Sequence, residues 1–244
     1  MRFLGVIPAR YGSTRLPAKP LINISGRPLL QWVIEGAQKS EKLNELIVAT
    51  DHAEIAALAE KLGVQAIMTA SELPSGSDRV WAAVQEREAD VILNIQGDEP
   101  LLKGQWIDLL IEPFLSEPDL KMATLAHAID PRELNQVSAV KVILNQNSDG
   151  IYFSRHAIPY TRQTFEESPD LCLKHIGLYA YKKSFLKKFC QTPPTALERA
   201  ESLEQLRALY LGERIKVMPI DALSIGVDTP DDVKAVSKIL NQGV

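Results

Sequence analysis

Short apolar runs alternate along the first half of the chain with stretches whose apolar residues return every three or four positions. Phe3, Leu4, Val6 and Ile7 form a run whose length suits a buried strand. Over 28–37, Leu29, Leu30, Val33, Ile34 and Ala37 fall on one helical stripe. A second strand is expected over 46–49, ending at Thr50 and Asp51, then a helix carrying Ile55, Leu58, Ala59 and Leu62 and closed by Gly63. A third strand covers 64–68, a helix containing Val80, Ala83 and Val84 follows, and 91–95 is the clearest buried strand. Ile107, Leu110, Ile111 and Phe114 then stripe a helix over 105–115. This alternation predicts parallel βαβ units with right-handed crossovers.

From Met122 the pattern changes. Strands are expected over 122–128, 139–144, 151–153 and 172–181, with fewer helices between them. Leu203, Leu206, Leu209 and Tyr210 place one helical stripe within 197–211, with Glu198, Glu201, Glu204, Gln205 and Arg207 between, a spacing usual for a solvated helix face. A further strand covers 215–219. Thr229 followed by Pro230 reads as an N-cap with proline in the first helical position, and Val233, Val236, Ile239 and Leu240 stripe the closing helix.

Composition narrows the class of protein. The 244 residues are 45% apolar and 24% charged, enough for a large core in one α/β domain or a domain with an inserted part. A net charge of −4 argues against a general nucleic-acid surface, so any basic cluster is local and its ligand small. The opening residues lack the apolar stretch of a signal peptide, and no run approaches the ~20 residues of a membrane span, so a cytoplasmic protein without membrane insertion is expected. Cys172 and Cys190 lack metal-ligand spacing; buried free thiols are expected rather than zinc or a disulfide framework.

Candidate chemistry begins in 7–19, Ile-Pro-Ala-Arg-Tyr-Gly-Ser-Thr-Arg-Leu-Pro-Ala-Lys, which leaves the carboxyl end of the first strand, where α/β sheets bind ligands. Arg10, Arg15 and Lys19 set guanidinium forks and an ammonium around Gly12, Ser13 and Thr14, whose N–H groups and hydroxyls fit between phosphate oxygens. The pattern suits a polyphosphate; a solvated basic loop is the alternative. Neither G-x-x-x-x-G-K-[ST] nor G-x-G-x-x-G is present, which disfavours P-loop ATPases and Rossmann dehydrogenases. Ser75-Gly76-Ser77-Asp78-Arg79 at a helix start either offers N–H groups to a base or phosphate or is a plain cap. Gln96-Gly97-Asp98-Glu99-Pro100 follows the clearest strand, so Asp98 is well placed for Mg²⁺, although an Asp-Glu pair in a loop is also a common turn. Asp228 is idle as a cap if Thr229 takes that task.

Pro8-Ala9-Arg10-Tyr11-Gly12-Ser13-Thr14-Arg15-Leu16-Pro17-Ala18-Lys19-Pro20-Leu21 resembles the signature loop of the sugar-activating cytidylyltransferases, with Ala18 where that family usually has glycine. The resemblance continues through Gln96–Pro100, 152–159, 174–181 and Leu203-Glu204-Gln205-Leu206-Arg207 to Gly226-Val227-Asp228-Thr229-Pro230. It implies a Rossmann-like, GT-A-like nucleotidyltransferase fold: an α/β architecture with a mixed, mainly parallel sheet flanked by helices, and a smaller acceptor and dimerisation part. The nucleotide-binding part would be about 1–120 and 215–244, the acceptor part about 121–214. The implied reaction joins CMP from CTP to the 2-hydroxyl of an acidic 3-deoxy-2-ulosonic sugar, with Mg²⁺ as cofactor in a homodimer. By the same resemblance Lys19, Arg15, Asp98 and Asp228 are catalytic, the two aspartates holding the metal. Pro8, Ala9, Arg10, Ser13, Gly76, Ser77, Arg79 and Gln96 join Arg15 and Lys19 around the nucleotide. Arg155, His175, Tyr179, Glu204 and Gln205 meet the sugar, Arg155 beside a histidine suiting its carboxylate; taken singly, Arg155 also reads as a salt-bridged surface residue and His175 as a core histidine.

Overall fold

A computed structural model describes residues 1–12, 16–162, 171–221 and 224–242; of the predicted site residues, Ser13 and Arg15 lie outside this set. The chain divides into two compact units, Met1–Ile111 with Leu223–Val244, and Glu112–Ala222.

In the first unit the alternating pattern becomes β1 (Phe3–Ala9), a two-stranded hairpin of β2 (Asn23–Ile24) and β3 (Arg27–Pro28), α1 (Leu29–Ala37), β4 (Glu45–Thr50), α2 (Ala53–Lys61), β5 (Gln65–Met68), α3 (Gly76–Val84) and β6 (Val91–Asn94). Its strands lie in the order β6-β1-β4-β5, every neighbouring pair parallel, with Val6 opposite Asn94 on one side and Ile47 on the other. Leu4, Val6, Ile7, Ile47, Val48, Ile92 and Leu93 are fully buried, as strands covered on both faces require. The chain moves outward from β1 through β4 to β5 and then returns to the far side of β1 with β6. The order therefore reverses between β1 and β6, and the crevice beyond their carboxyl ends is the expected ligand position. Leu16, Ile24, Leu29, Val227 and Val236 form a separate buried cluster that anchors the loop after β1 to the C-terminal helix Pro230–Asn241.

That helix starts as the sequence predicts. Thr229 accepts from the Asp232 N–H at 3.3 Å, Asp232 reaches back to the Thr229 N–H at 2.7 Å, and Pro230 is the first helical residue. The boundary between the units falls within α4 (Gly104–Ser116).

The second unit contains β7 (Met122–Ala128), β8 (Lys141–Leu144), β9 (Gly150–Ser154), β10 (Leu173–Lys182), α5 (Lys183–Gln191), α6 (Ala196–Glu201), α7 (Leu206–Tyr210) and β11 (Ile215–Pro219). β10 pairs antiparallel with β7 and β8, β8 antiparallel with β9, and β11 parallel with β7. Two features depart from the sequence reading. The helix α5 carries only Phe185, Leu186 and Phe189 as buried residues among lysines, a stripe too brief to stand out by periodicity. The single helix expected over 197–211 is two, because Ser202 turns left-handed (φ 52°) and the chain breaks there. Cys172 is a buried free thiol and Cys190 a half-buried one. Among the described residues no helix is long and apolar enough to cross a membrane.

Candidate active site

The described residues singled out in the first unit lie near the carboxyl ends of its strands. Ala9 is buried as the last residue of β1, Pro8 is half-buried and Arg10 is exposed. Gly97, just past β6, approaches β1 so closely that a Cβ there would stand 3.1 Å from the Pro8 carbonyl oxygen. Gln96 points its amide toward Asn94 at 3.4 Å. Gly76 opens α3 beside Pro8, where a Cβ would stand 3.8 Å from the proline Cγ, and buried Ser77 follows it. Ser75 caps this helix by accepting from the Asp78 N–H at 3.2 Å, so the plain-cap role is filled by Ser75 itself.

At the centre, Lys19 Nζ donates to Asp98 Oδ2 at 2.6 Å and to Asp228 Oδ1 at 2.9 Å. Residues 79 and 209 positions apart from Lys19 thus meet on one ammonium. Three local features bring them there. Lys19 opens a single 3-10 turn, Lys19–Leu21, held by the Leu16 anchor before it. The Val227 N–H donates to the Asp98 carbonyl at 2.8 Å, fixing the two aspartate segments to each other. Buried Glu99 accepts from Ser224 Oγ at 2.6 Å, securing the same two segments on the other side. Burial pulls the Lys19 ammonium down, but the charges and hydrogen bonds of Asp98 and Asp228 outweigh it and hold its pKa above the ordinary lysine value. Ala18, where the family has glycine, takes the left-handed conformation (φ 51°) with its N–H on the Tyr11 carbonyl at 3.2 Å, so its methyl group sits where L-residues are strained.

One ammonium against two carboxylates leaves a net negative charge, which repels a bare triphosphate and suits a divalent cation. Two carboxylates are also what Mg²⁺ asks of a protein when phosphate oxygens and water supply the rest. Among the described residues no group of three or more His, Cys, Asp or Glu forms a candidate metal cage. The two carboxylates by themselves are a donor set that fits magnesium shared with phosphate oxygens.

Arg79 is engaged within the protein. It is buried, and its guanidinium is turned to Thr69 Oγ1 at 2.5 Å and Asp51 Oδ2 at 3.3 Å rather than offered to a ligand. Asp51 also accepts from the Tyr11 N–H at 2.9 Å, and the Tyr11 ring stacks on His52 with centroids 3.8 Å apart. Asp51 is thus the hub that ties the loop after β1 to β4, α3 and the end of β5, a function the sequence reading missed. Its one signal was an aspartate at the carboxyl end of a buried strand.

In the second unit the predicted acceptor residues share one neighbourhood. His175 Nε2 lies 2.9 Å from Thr124 Oγ1, and its ring meets Phe153 edge-on and Tyr179 at a tilt, with centroids 5.2 and 5.4 Å away. Burial depresses the imidazole pKa to about 3, so the ring is neutral at physiological pH. Burial, then the charge of Glu204, push the Tyr179 phenol up, against a smaller pull from Arg155, so it remains protonated. Gln205 is buried, and its Nε2 has no hydrogen-bond partner among the described residues, an orphan donor of the kind a ligand satisfies. Buried Arg207 is spent on structure: its guanidinium pairs with Glu198 and donates to the Phe189 carbonyl at 3.0 Å.

Arg155 is also engaged within the protein. Its guanidinium donates to the carbonyls of Glu201 (2.8 Å), Val137 (2.9 Å) and Ser202 (3.2 Å), clamping the left-handed turn that separates α6 from α7. Buried Lys141 works beside it, donating to the carbonyls of Ala139 at 2.6 Å, Arg155 at 2.5 Å and Gln136 at 3.0 Å. Arg155 thus fixes the turn that leads to Glu204 and Gln205, and Lys141 fixes the backbone of Arg155 itself.

An α/β unit in which Lys19, Asp98 and Asp228 converge is compatible with nucleotidyl transfer, and the sequence model of the cytidylyltransferase family matches residues 4–215. The chain belongs to that family. Within it, the chain is 55% identical to 3-deoxy-manno-octulosonate cytidylyltransferase of Bdellovibrio bacteriovorus, over 99% of this chain and 98% of the relative. It is 41% identical to the enzyme of that name from Escherichia coli, over 97% and 95% of the two chains. Among solved structures, CMP:2-keto-3-deoxy-manno-octonic acid synthetase complexed with CTP superposes with a TM-score of 0.94 at 40% identity, covering all of both chains.

Proposed function

We propose that the protein transfers CMP from CTP to the anomeric 2-hydroxyl of 3-deoxy-D-manno-octulosonate, giving CMP-3-deoxy-manno-octulosonate and pyrophosphate and so activating the sugar for lipopolysaccharide synthesis. The observation that carries this is the convergence of Lys19, Asp98 and Asp228 at the carboxyl ends of β1 and β6, in a chain 55% identical to a 3-deoxy-manno-octulosonate cytidylyltransferase over nearly its whole length.

In the reaction the sugar's 2-hydroxyl oxygen forms a bond to the α-phosphorus while the bond from that phosphorus to the β-bridging oxygen breaks. Pyrophosphate leaves with that oxygen, and the hydroxyl loses its proton. Little covalent work falls to the protein, so positioning and charge stabilisation carry the catalysis. Arg10, Arg15 and Lys19 hold the triphosphate, and Lys19, paired with both carboxylates, stabilises charge that grows on the leaving group. Asp98 and Asp228 would hold Mg²⁺. When bound, that ion supplies charge neutralisation for the phosphates and acidifies the acceptor hydroxyl. Pro8, Ala9, Gly76, Ser77 and Gln96 border the nucleotide, while Arg79 acts by holding Asp51 and the loop after β1. His175, Tyr179, Glu204 and Gln205 take the sugar's hydroxyls, and Arg155 holds the turn on which the last two stand.

The reading places the enzyme in the cytoplasm, where CTP is made, and as a homodimer. Support for the latter is the exposure of Val137, Ile151 and Leu197, large apolar side chains on one unit.

The test is pyrophosphate release from CTP and Mg²⁺ with a panel of acceptors. Release with 3-deoxy-D-manno-octulosonate, and a CMP-sugar of the matching mass, is expected. Release with sialic acid or an 8-amino sugar, but not with 3-deoxy-D-manno-octulosonate, would move the assignment to that acceptor; CTP binding with no release on any acceptor would overturn it.

A further inference from the structure

β10 does not pair evenly with β7. His175 faces Ala126 and Ile176 faces Leu125, but Thr124 faces Tyr179, so Gly177 and Leu178 bulge out of register. A bulge frees backbone carbonyls, and two of these turn to the buried Thr124 hydroxyl: Leu178 O at 2.7 Å and Ile176 O at 3.1 Å. His175 Nε2 is the third neighbour of the same oxygen, at 2.9 Å.

The protons on this oxygen can be counted. A threonine hydroxyl has one hydrogen to give and lone pairs to receive with. Two oxygens at 2.7 Å need a hydrogen between them, and a carbonyl has none, so the Thr124 proton goes to a carbonyl. His175 Nε2 must then be the donor. A neutral imidazole carries a single N–H, which leaves Nδ1 as a bare acceptor, and Nδ1 makes no hydrogen bond among the described residues. Phe153 and Tyr179 flank the ring and hold its plane.

We propose that Thr124 is a positioning residue for the acceptor sugar: it fixes His175 as the Nε2–H tautomer so that Nδ1 presents its lone pair to one of the sugar's hydroxyl groups. His175 therefore selects for a polyhydroxylated chain and does not pair with the sugar's carboxylate, which a lone pair would repel. The same hydroxyl pins the bulge that sets Tyr179 beside His175. The proposal rests on the acceptor assignment above, but its first test does not.

That test is two-bond ¹H–¹⁵N correlation of the imidazole nitrogens in the ligand-free protein at pH 7, with the His175 pattern assigned by its loss in His175→Gln. Protonated Nε2 with unprotonated Nδ1 is expected; the opposite tautomer, or an imidazolium, overturns the proposal even if the enzyme makes CMP-sugar normally. The second test compares Thr124→Val with Thr124→Ser. Valine should scramble the tautomer and raise the KM for the sugar about 5- to 50-fold, with the KM for CTP unchanged, as expected for losing one buried hydrogen bond. Serine should restore both. A valine variant with the wild-type tautomer and sugar KM also overturns the proposal, and if valine prevents folding, the wild-type and serine spectra decide. A correct tautomer in a protein that releases no pyrophosphate with any acceptor would instead locate the failure in the assigned reaction.

Discussion

Lys19 has two partners because the site has two carboxylates to separate. Lys19→Ala removes both the cation that meets the growing charge of the leaving group and the tie between Asp98 and Asp228. A fall in kcat of roughly 10²–10³-fold is expected, as for the loss of one preorganised donor, measured as steady-state pyrophosphate release. Its neighbour Ala18 works against the fold. A left-handed alanine costs about 1–2 kcal/mol, and glycine returns part of that by adding freedom to the unfolded chain. Ala18→Gly should thus raise the unfolding free energy by about 0.5–1 kcal/mol in denaturant titration. His175 makes stability depend on pH. Its folded pKa is depressed below the unfolded value of 6.5, so the unfolded chain takes up a proton that the native chain refuses. The stabilisation is present above pH 6.5 and fades as pH falls toward the folded value. Between pH 7 and 5.5 the protein should lose about 1 kcal/mol more than His175→Gln loses over the same interval. Lys19 and Asp98, which the structure brings together, could be singled out in the sequence because residue type alone suggests their chemistry. The states of Ala18, Thr124 and His175 could not, because each depends on a backbone angle or a bulge. Thr124 did leave a trace: it is polar in the otherwise apolar run Met122-Ala123-Thr124-Leu125-Ala126, and a buried hydroxyl needs a partner.

Elements with strong periodicity were read from the sequence to within a few residues, as with α1, β4, β6, β7 and the capped C-terminal helix. The region over 197–211 was misread because periodicity does not see a change of backbone sign. Its apolar spacing continues across the break, while Ser202 sits at φ 52° and Arg155, from a distant strand end, binds the carbonyls that the break frees. The turn owes its geometry to a tertiary contact, beyond the reach of local sequence. This gives Arg155 a distinct signature. Arg155→Met should cost about 2 kcal/mol in unfolding free energy, from charged hydrogen bonds lost at a partly exposed site, and raise the KM for the sugar as Glu204 and Gln205 lose their support. Arg155→Lys should do nearly the same, since one ammonium cannot span three carbonyls as a guanidinium does. A lysine variant with near-normal KM and stability would contradict this role for Arg155.

At the scale of the molecule, the sequence order of the strands decides where chemistry can occur. Because the chain doubles back between β5 and β6, the loops after β1 and β6 become neighbours, and the cluster of Leu16, Ile24, Leu29, Val227 and Val236 closes the distance to a third segment near the C-terminus. The aspartates were each identifiable as strand-end or helix-entry carboxylates, but their meeting on Lys19 required the topology. The account's central claim is that these segments form one catalytic unit. Residues that act as a unit lose activity non-additively, whereas independent residues multiply their losses. The most direct measurement is therefore a double-mutant cycle on the rate of pyrophosphate release from CTP and 3-deoxy-D-manno-octulosonate at saturating Mg²⁺, using Asp98→Asn, Asp228→Asn and the pair. The account predicts a large loss in each single variant and a double variant little slower than the worse of the two. Single variants with near-normal rates, or a double variant whose loss is the full product of the single losses, would contradict it.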